Sequence, residues 1–348
     1  MASISDLKEL AARWREGLKD HAQSLSNFTR VNETTLLRLL KEISQCYSTI
    51  PDIEKISLQD PIIQFQNLII DGNPRILDLK LPDIQWSNIK IHGSINFENV
   101  EIDKAFTIDT IHKNGEGVHP EISFKNVTFH SNINIKKTNV SINLIDVRVK
   151  GPFSLNTGFP ILLNLDGVTF GEAVSIEGAI QKIDIQHTAF NGDLTIHANL
   201  NHVSFEWNGR KKNLKFLGSV DFNSIDANAG IFEKIDFSEI DWHGDVSFKG
   251  MQFSGPANFS KSKFRGKCNF NRAIFSDSTT FFETHFHHAP TFHEASLHRD
   301  TSFTDSKFDE CSSEEDWRAF RRLREIMGDF KADVENSIFF GNVDLGRP

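Results

Sequence analysis

The segment Phe248-Lys249-Gly250-Met251-Gln252-Phe253-Ser254-Gly255-Pro256-Ala257-Asn258-Phe259-Ser260-Lys261-Ser262-Lys263-Phe264 opens a tract whose spacing decides the fold. Large apolar residues recur at Phe248, Phe253, Phe259, Phe264, Phe270, Phe275, Phe281, Phe286, Phe292, Leu297, Phe303 and Phe308, in steps that alternate between five and six residues. Two positions before most of them stands a smaller residue: Ala257, Ser262, Cys268, Ala273, Thr279, Thr284, Ala295, Thr301 and Ser306. An amphipathic helix repeats every ~3.6 residues and a half-buried strand every ~2, so neither produces this step. A short extended segment followed by a corner does. Residues two apart then point to the same side, and that side is the interior, filled by the large ring and closed by the small residue.

The same rhythm runs upstream with Ile and Leu in place of Phe, as in Trp86, Ile91, Phe97, Ile102 and Ile108, and in Phe237, Trp242 and Phe248. It slips near 111–121, 156–164, 197–213 and 227–232, which are expected to be loops. Composition points the same way: the chain has 31 Phe and one Tyr, Tyr47. Such heavy use of one ring suggests one geometric slot occupied many times.

Segments such as Ala257-Asn258-Phe259-Ser260 and Ala273-Ile274-Phe275-Ser276 resemble the small–polar–large–polar unit of the pentapeptide-repeat family. The resemblance covers roughly residues 60–310. It implies a mainly β chain wound as a right-handed β-solenoid, the quadrilateral β-helix, with four units per coil. The departure from a strict five-residue step gives about 22 residues per coil and leaves a three- or two-sided cross-section open. Two ladders are expected inside: Trp242, Phe264, Phe286 and Phe308, and Phe237, Phe259, Phe281 and Phe303.

A stack of coils leaves a main-chain edge at each end, and both edges need covering. Residues 1–57 are expected to form an N-terminal helical cap. Leu7, Leu10, Ala11, Trp14, Leu18 and Leu25 fall on one helical face over 3–25, with Ser3 or Ser5 as cap. Leu36, Leu40, Ile43 and Tyr47 mark a second helix that ends before Pro51 and Asp52. Residues 58–311 are the solenoid. Residues 312–348 are read as a C-terminal amphipathic helix and tail, with Ser312 and Glu315 spaced as a capping box. That helix is similar to an Arg-rich element, carried here by Arg318, Arg321 and Arg322, that leads into membrane spans in some bacterial members of the family.

Net charge is −9 and no segment is strongly basic, so direct nucleic-acid binding is not expected. No apolar run approaches ~20 residues, so no transmembrane segment is expected, and a cytoplasmic location follows. Cys46, Cys268 and Cys311 have neither disulfide nor metal spacing. Among several close histidines, His287, His293 and His298 are the weak metal candidates. In a coil they follow successive core residues and diverge, so no metal and no cofactor is expected. The 22-residue period instead puts His243, Arg265, His287 and Asp309 in one outer column. Cys268 falls in the small interior slot. Arg210, Lys211 and Lys212 form a short basic run that reads as a loop tip, or as a contact site with Arg318, Arg321 and Arg322. No catalytic constellation is found, which argues against an enzyme. The expected function is a protein–protein interaction scaffold of unknown partner, able to form a homodimer through its terminal helices. The alternatives implied by the resemblance are a DNA-mimicking topoisomerase (gyrase) inhibitor and an accessory or regulatory domain of a membrane-linked or stress and defence system.

Overall fold

A computed structural model describes residues 3–20, 28–51, 55, 63–113, 120–205, 215–216, 218–223, 230–297, 300–309 and 338–339. The chain is mainly β, and every strand pair among the described residues is parallel. It divides into two compact units, Met1–Glu172 and Ala173–Pro348.

In the first unit, helix α1 spans Ile4–Asp20. Ser3 caps it: its hydroxyl accepts from the Asp6 amide at 3.2 Å, and the Asp6 carboxylate accepts from the Ser3 amide at 2.7 Å. This reciprocal pair satisfies amides that a helix start leaves without partners. Strand β1, Thr29–Asn32, leads into helix α2, Glu33–Thr49. The Asn32 side chain accepts from the Thr35 amide at 2.9 Å and caps α2. Leu36, Leu39, Leu40, Ile43 and Tyr47 form its buried stripe. Trp14 of α1 donates through Nε1 to Glu42 of α2 at 2.9 Å, with Arg38 over its ring.

Strand β2, Gln64–Asp71, begins the coils, and β1 pairs with it from Thr29↔Leu68 to Asn32↔Asp71. The edge of β2 that would otherwise be open is thus taken by β1. Beyond it, residues in register form buried ladders. Leu81, Ile102, Phe129, Val149 and Phe170 make one. Ile76, Phe97, Phe124, Leu144 and Leu165 make another. The stretch 111–121 does not break the stack. Ile111–Lys113 pairs with Ile89–Ile91, and Ile102 meets Phe129 in register beyond it; residues 114–119 lie outside the described residues.

The expected loop at 156–164 is instead part of one strand, Phe153–Asp166. Its first part pairs with Ile133–Thr138 and its last part with Ile142–Ile145, so it continues through the corner that separates those strands one coil earlier. Main-chain pairing fixes this path. The side-chain rhythm is lost because Phe159 and Leu162 face outward, 54% and 45% exposed. Likewise, 197–205 lies in the strand Leu194–Phe205 and 230–232 in Gly230–Asp236.

The second unit carries the regular tract. Register pairs Trp242 with Phe264, Phe264 with Phe286 and Phe286 with Phe308. Their rings stack with centroids 5.9, 5.0 and 5.2 Å apart. Phe259, Phe281 and Phe303 stack at 4.9 and 4.4 Å, and Phe237 continues their ladder 5.7 Å from Phe259 with its ring tilted by 38°. Phe248, Phe270 and Phe292 form a third ladder at 5.0 and 4.8 Å, and Phe253 stacks on Phe275 at 4.4 Å in a fourth. Neighbouring ladders meet edge-on, as Phe259 does with Phe270 at 83°, an arrangement that suits the ring quadrupole. All these rings are buried.

The small slot ties coils together. Ser262, Thr284 and Ser306 are fully buried, and their hydroxyls donate to the carbonyls of Phe237, Phe259 and Phe281 at 2.6, 2.9 and 2.6 Å. Each buried hydroxyl is thereby satisfied. The five-residue steps turn with a hydrogen bond from residue i+3 to the carbonyl of residue i, as from Ser262 to Phe259 and from Thr284 to Phe281. Their third residue lies at positive φ: Glu239, Lys261, Glu283 and Asp305 in one column, Gly250, Arg272 and Glu294 in another. The six-residue steps turn at Gly244 and Gly266. A Cβ on Gly266 would lie 2.4 Å from the Gly244 carbonyl carbon, so only glycine permits this approach. Ile338–Phe339 pairs with Lys307–Phe308 after a long interval.

Candidate functional site

Because core residues face inward, their neighbours in sequence face out, and register sets which outward side chains meet. In the second unit Trp242, Phe264, Phe286 and Phe308 are in register, so His243, Arg265, His287 and Asp309 follow them in one outer column. Main-chain bonds from Arg265 to Trp242, from His287 to Phe264 and from Asp309 to Phe286 hold it. Arg265 donates to both Asp241 carboxylate oxygens, at 2.7 and 2.9 Å. That bond holds the Asp241 carboxyl below its ordinary range. His243 Nε2 lies 3.5 Å from the same carboxylate.

One coil on, the Asp309 carboxylate takes His285 Nε2 on one oxygen and His287 Nδ1 on the other, each at 2.8 Å. The imidazoles lie 4.2 Å apart, stacked with their planes inclined at 28°. His287 is held below its ordinary pKa first by burial and then by His285, against the pull of Asp309. Of the three histidines singled out from sequence, His287 therefore meets His285 and Asp309. His293 is exposed and approaches Glu294 at 3.8 Å. His298 lies outside the described residues. The role of His285 was missed because it lies two residues from His287; the alternation of a strand brings such a pair to one side.

In the first unit, Glu101, Asp103 and His130 gather in similar fashion. Lys80 already reaches both carboxylates, at 3.6 and 3.5 Å. Tyr47 donates to Asp103 at 2.9 Å, which ties α2 to the coils. Cys268 is buried in the small slot, where burial pushes its thiol well above its ordinary range; a thiol held neutral is a poor nucleophile. Arg210, Lys211, Lys212, Arg318, Arg321 and Arg322 all lie outside the described residues, as do Cys311 and the expected helix at 313–335. No helix among the described residues is long and apolar enough to cross a membrane.

Outward charges elsewhere in the second unit pair between coils. Arg272 donates to Glu294 at 2.7 Å and Lys261 approaches Glu283 at 3.8 Å. No curated protein and no solved structure matches the chain. Residues 237–285 match the family model described as pentapeptide repeats, with nine copies. That match lies on the ring ladders of the second unit, so residues 237–285 carry pentapeptide repeats, and the described coils are those of a parallel β-solenoid.

Proposed function

We propose that this protein is a non-catalytic, cytoplasmic scaffold that binds another protein through the outer faces of its coils. The coils are read as right-handed and four-sided, in keeping with four ring ladders in the regular tract. Residues 1–57 cover the first coil, and 312–348 supply a C-terminal amphipathic helix and tail that serves as the other cover or as a contact between two copies. Arg210, Lys211, Lys212, Arg318, Arg321 and Arg322 are the basic residues proposed to meet a partner.

The observation that carries this reading is the interior itself. Four buried ladders and the buried hydroxyls that cross between coils fix the main chain, so outward side chains are presented with little ordering cost on association. The fold commonly serves as a protein-interaction scaffold. Mimicry of DNA is the weaker alternative. It needs columns of unpaired acids at phosphate-like spacing, whereas Asp241, Glu283 and Glu294 are matched by Arg265, Lys261 and Arg272. An accessory role in a membrane-linked or stress system rests on the arginine pattern alone.

Affinity recovery of the full chain from its native cell, with identification of bound proteins, tests the scaffold. The expected result is a partner in fixed ratio, retained by the unaltered chain and reduced when the six basic residues are replaced by Gln. Recovery of no partner, or inhibition of gyrase supercoiling at low protein concentration, overturns it.

A further inference from the structure

Two clusters of metal-ligating side chains stand on the described surface, and their surroundings differ. At Glu101, Asp103 and His130 the place of a cation is taken: Lys80 reaches both carboxylates and Lys150 Nζ lies 3.1 Å from His130 Nδ1. At His285, His287 and Asp309 no ammonium or guanidinium among the described residues is bonded to the three side chains, and the arginine in the column, Arg265, is engaged with Asp241. Lys263 and Lys307 flank His285 in register, but both are exposed.

We propose that His285, His287 and Asp309 form a binding site for one divalent transition-metal ion of the zinc, nickel or cobalt class. The three donor atoms lie within 4.8 Å of one another, and each histidine nitrogen is 2.8 Å from its own carboxylate oxygen. Metal–ligand bonds of about 2.0–2.1 Å at a tetrahedral angle put donor atoms about 3.3 Å apart, so each histidine–carboxylate pair needs to open by about 0.5 Å and the side chains to converge on one carboxylate oxygen or straddle both. Two imidazoles and one carboxylate suit this class of metal and not calcium or magnesium, which prefer oxygen donors.

The backbone fixes the geometry. His285 and His287 flank the buried Phe286 and emerge on one side, and Asp309 is held one coil on by its amide bond to the Phe286 carbonyl at 2.8 Å. Without metal, a carboxylate only accepts, so His285 donates from Nε2–H and His287 from Nδ1–H. On binding, the ion takes those positions and the two protons move to the other ring nitrogens. The side chains are 26%, 31% and 32% exposed, which leaves the outer coordination positions open to water. The ion would clamp two successive coils together.

Titration of the full chain with Co²⁺, followed by visible absorption and by competition with Zn²⁺, tests the proposal. One ion per chain is expected. His285→Gln, His287→Gln and Asp309→Asn are expected to weaken binding about tenfold or more, whereas His130→Gln and His293→Gln leave it unchanged. Because these side chains face outward, circular dichroism of each variant should match the unaltered chain. A second measurement needs no variant: Zn²⁺ should protect His285 and His287 from diethyl pyrocarbonate, read by mass spectrometry. A chain that binds neither ion, binding kept in full by His287→Gln, binding lost in His130→Gln, or modification of His285 and His287 unchanged by Zn²⁺ would each overturn the proposal.

Discussion

Phe259 touches the ring above it and the ring below it in its own ladder and the edges of the neighbouring ladder: Phe237, Phe281, Phe248 and Phe270 all lie within 5.7 Å of its centroid. Its neighbours are fixed by main-chain register and cannot close a gap by moving alone. Phe259→Ala should therefore leave a cavity and cost about 3–5 kcal/mol, measured by denaturant unfolding. Ile274, 39% exposed on the same tract, is the contrast; Ile274→Thr should change stability by no more than about 0.5 kcal/mol. Asp241 makes a pH prediction. Its carboxyl is held low by Arg265, so the pair contributes stability above the unfolded carboxylate pKa of about 3.9 and loses it as pH falls through the lower folded value. Both side chains are partly exposed, which keeps the effect small. Below about pH 4 the melting temperature of the unaltered chain should fall more steeply than that of Arg265→Gln; parallel curves would contradict this.

At the scale of the element, the unit is a two-residue strand and a turn. The turn at Phe281–Thr284 places Glu283 at φ 54°, in the left-handed region. A β-branched residue there is a genuine outlier, whereas glycine is not. Glu283→Val should destabilise by about 1–2 kcal/mol and Glu283→Gly should not, as read by thermal unfolding. Equal effects would mean that the turn does not set the cost. The N-terminal element acts on an edge. β1 pairs with β2, and Tyr47 of α2 bonds to Asp103. A chain lacking residues 1–50 exposes the β2 edge and should self-associate. Light scattering after size-exclusion chromatography checks this, and a monomer of unchanged stability would contradict it.

At the scale of the whole molecule, the parallel coils were legible because one rhythm, the alternating five and six, repeats through Phe248–Phe308 without a break. Side-chain period reports a wall directly when every inward slot is filled by the same ring. It failed at 156–164, where Phe159 and Leu162 face out and the strand Phe153–Asp166 is defined by its main-chain partners. Outward chemistry was less legible than the core. The column His243, Arg265, His287 and Asp309 follows from the 22-residue period. The meeting of His285 with His287 depends on alternation within one short strand, and the bonds of both to Asp309 depend on rotamers. A partner leaves no such period, because a face that binds is written in the outward residues, which the repeat leaves free to vary.

The central claim is that large rings wind inward in register, coil upon coil. A crystal structure of the full chain tests it most directly. Phe264 and Phe286 should be buried and stacked, with centroids near 5.0 Å and planes near 5°. Rings that are solvent-facing, or out of register with one another, would contradict it.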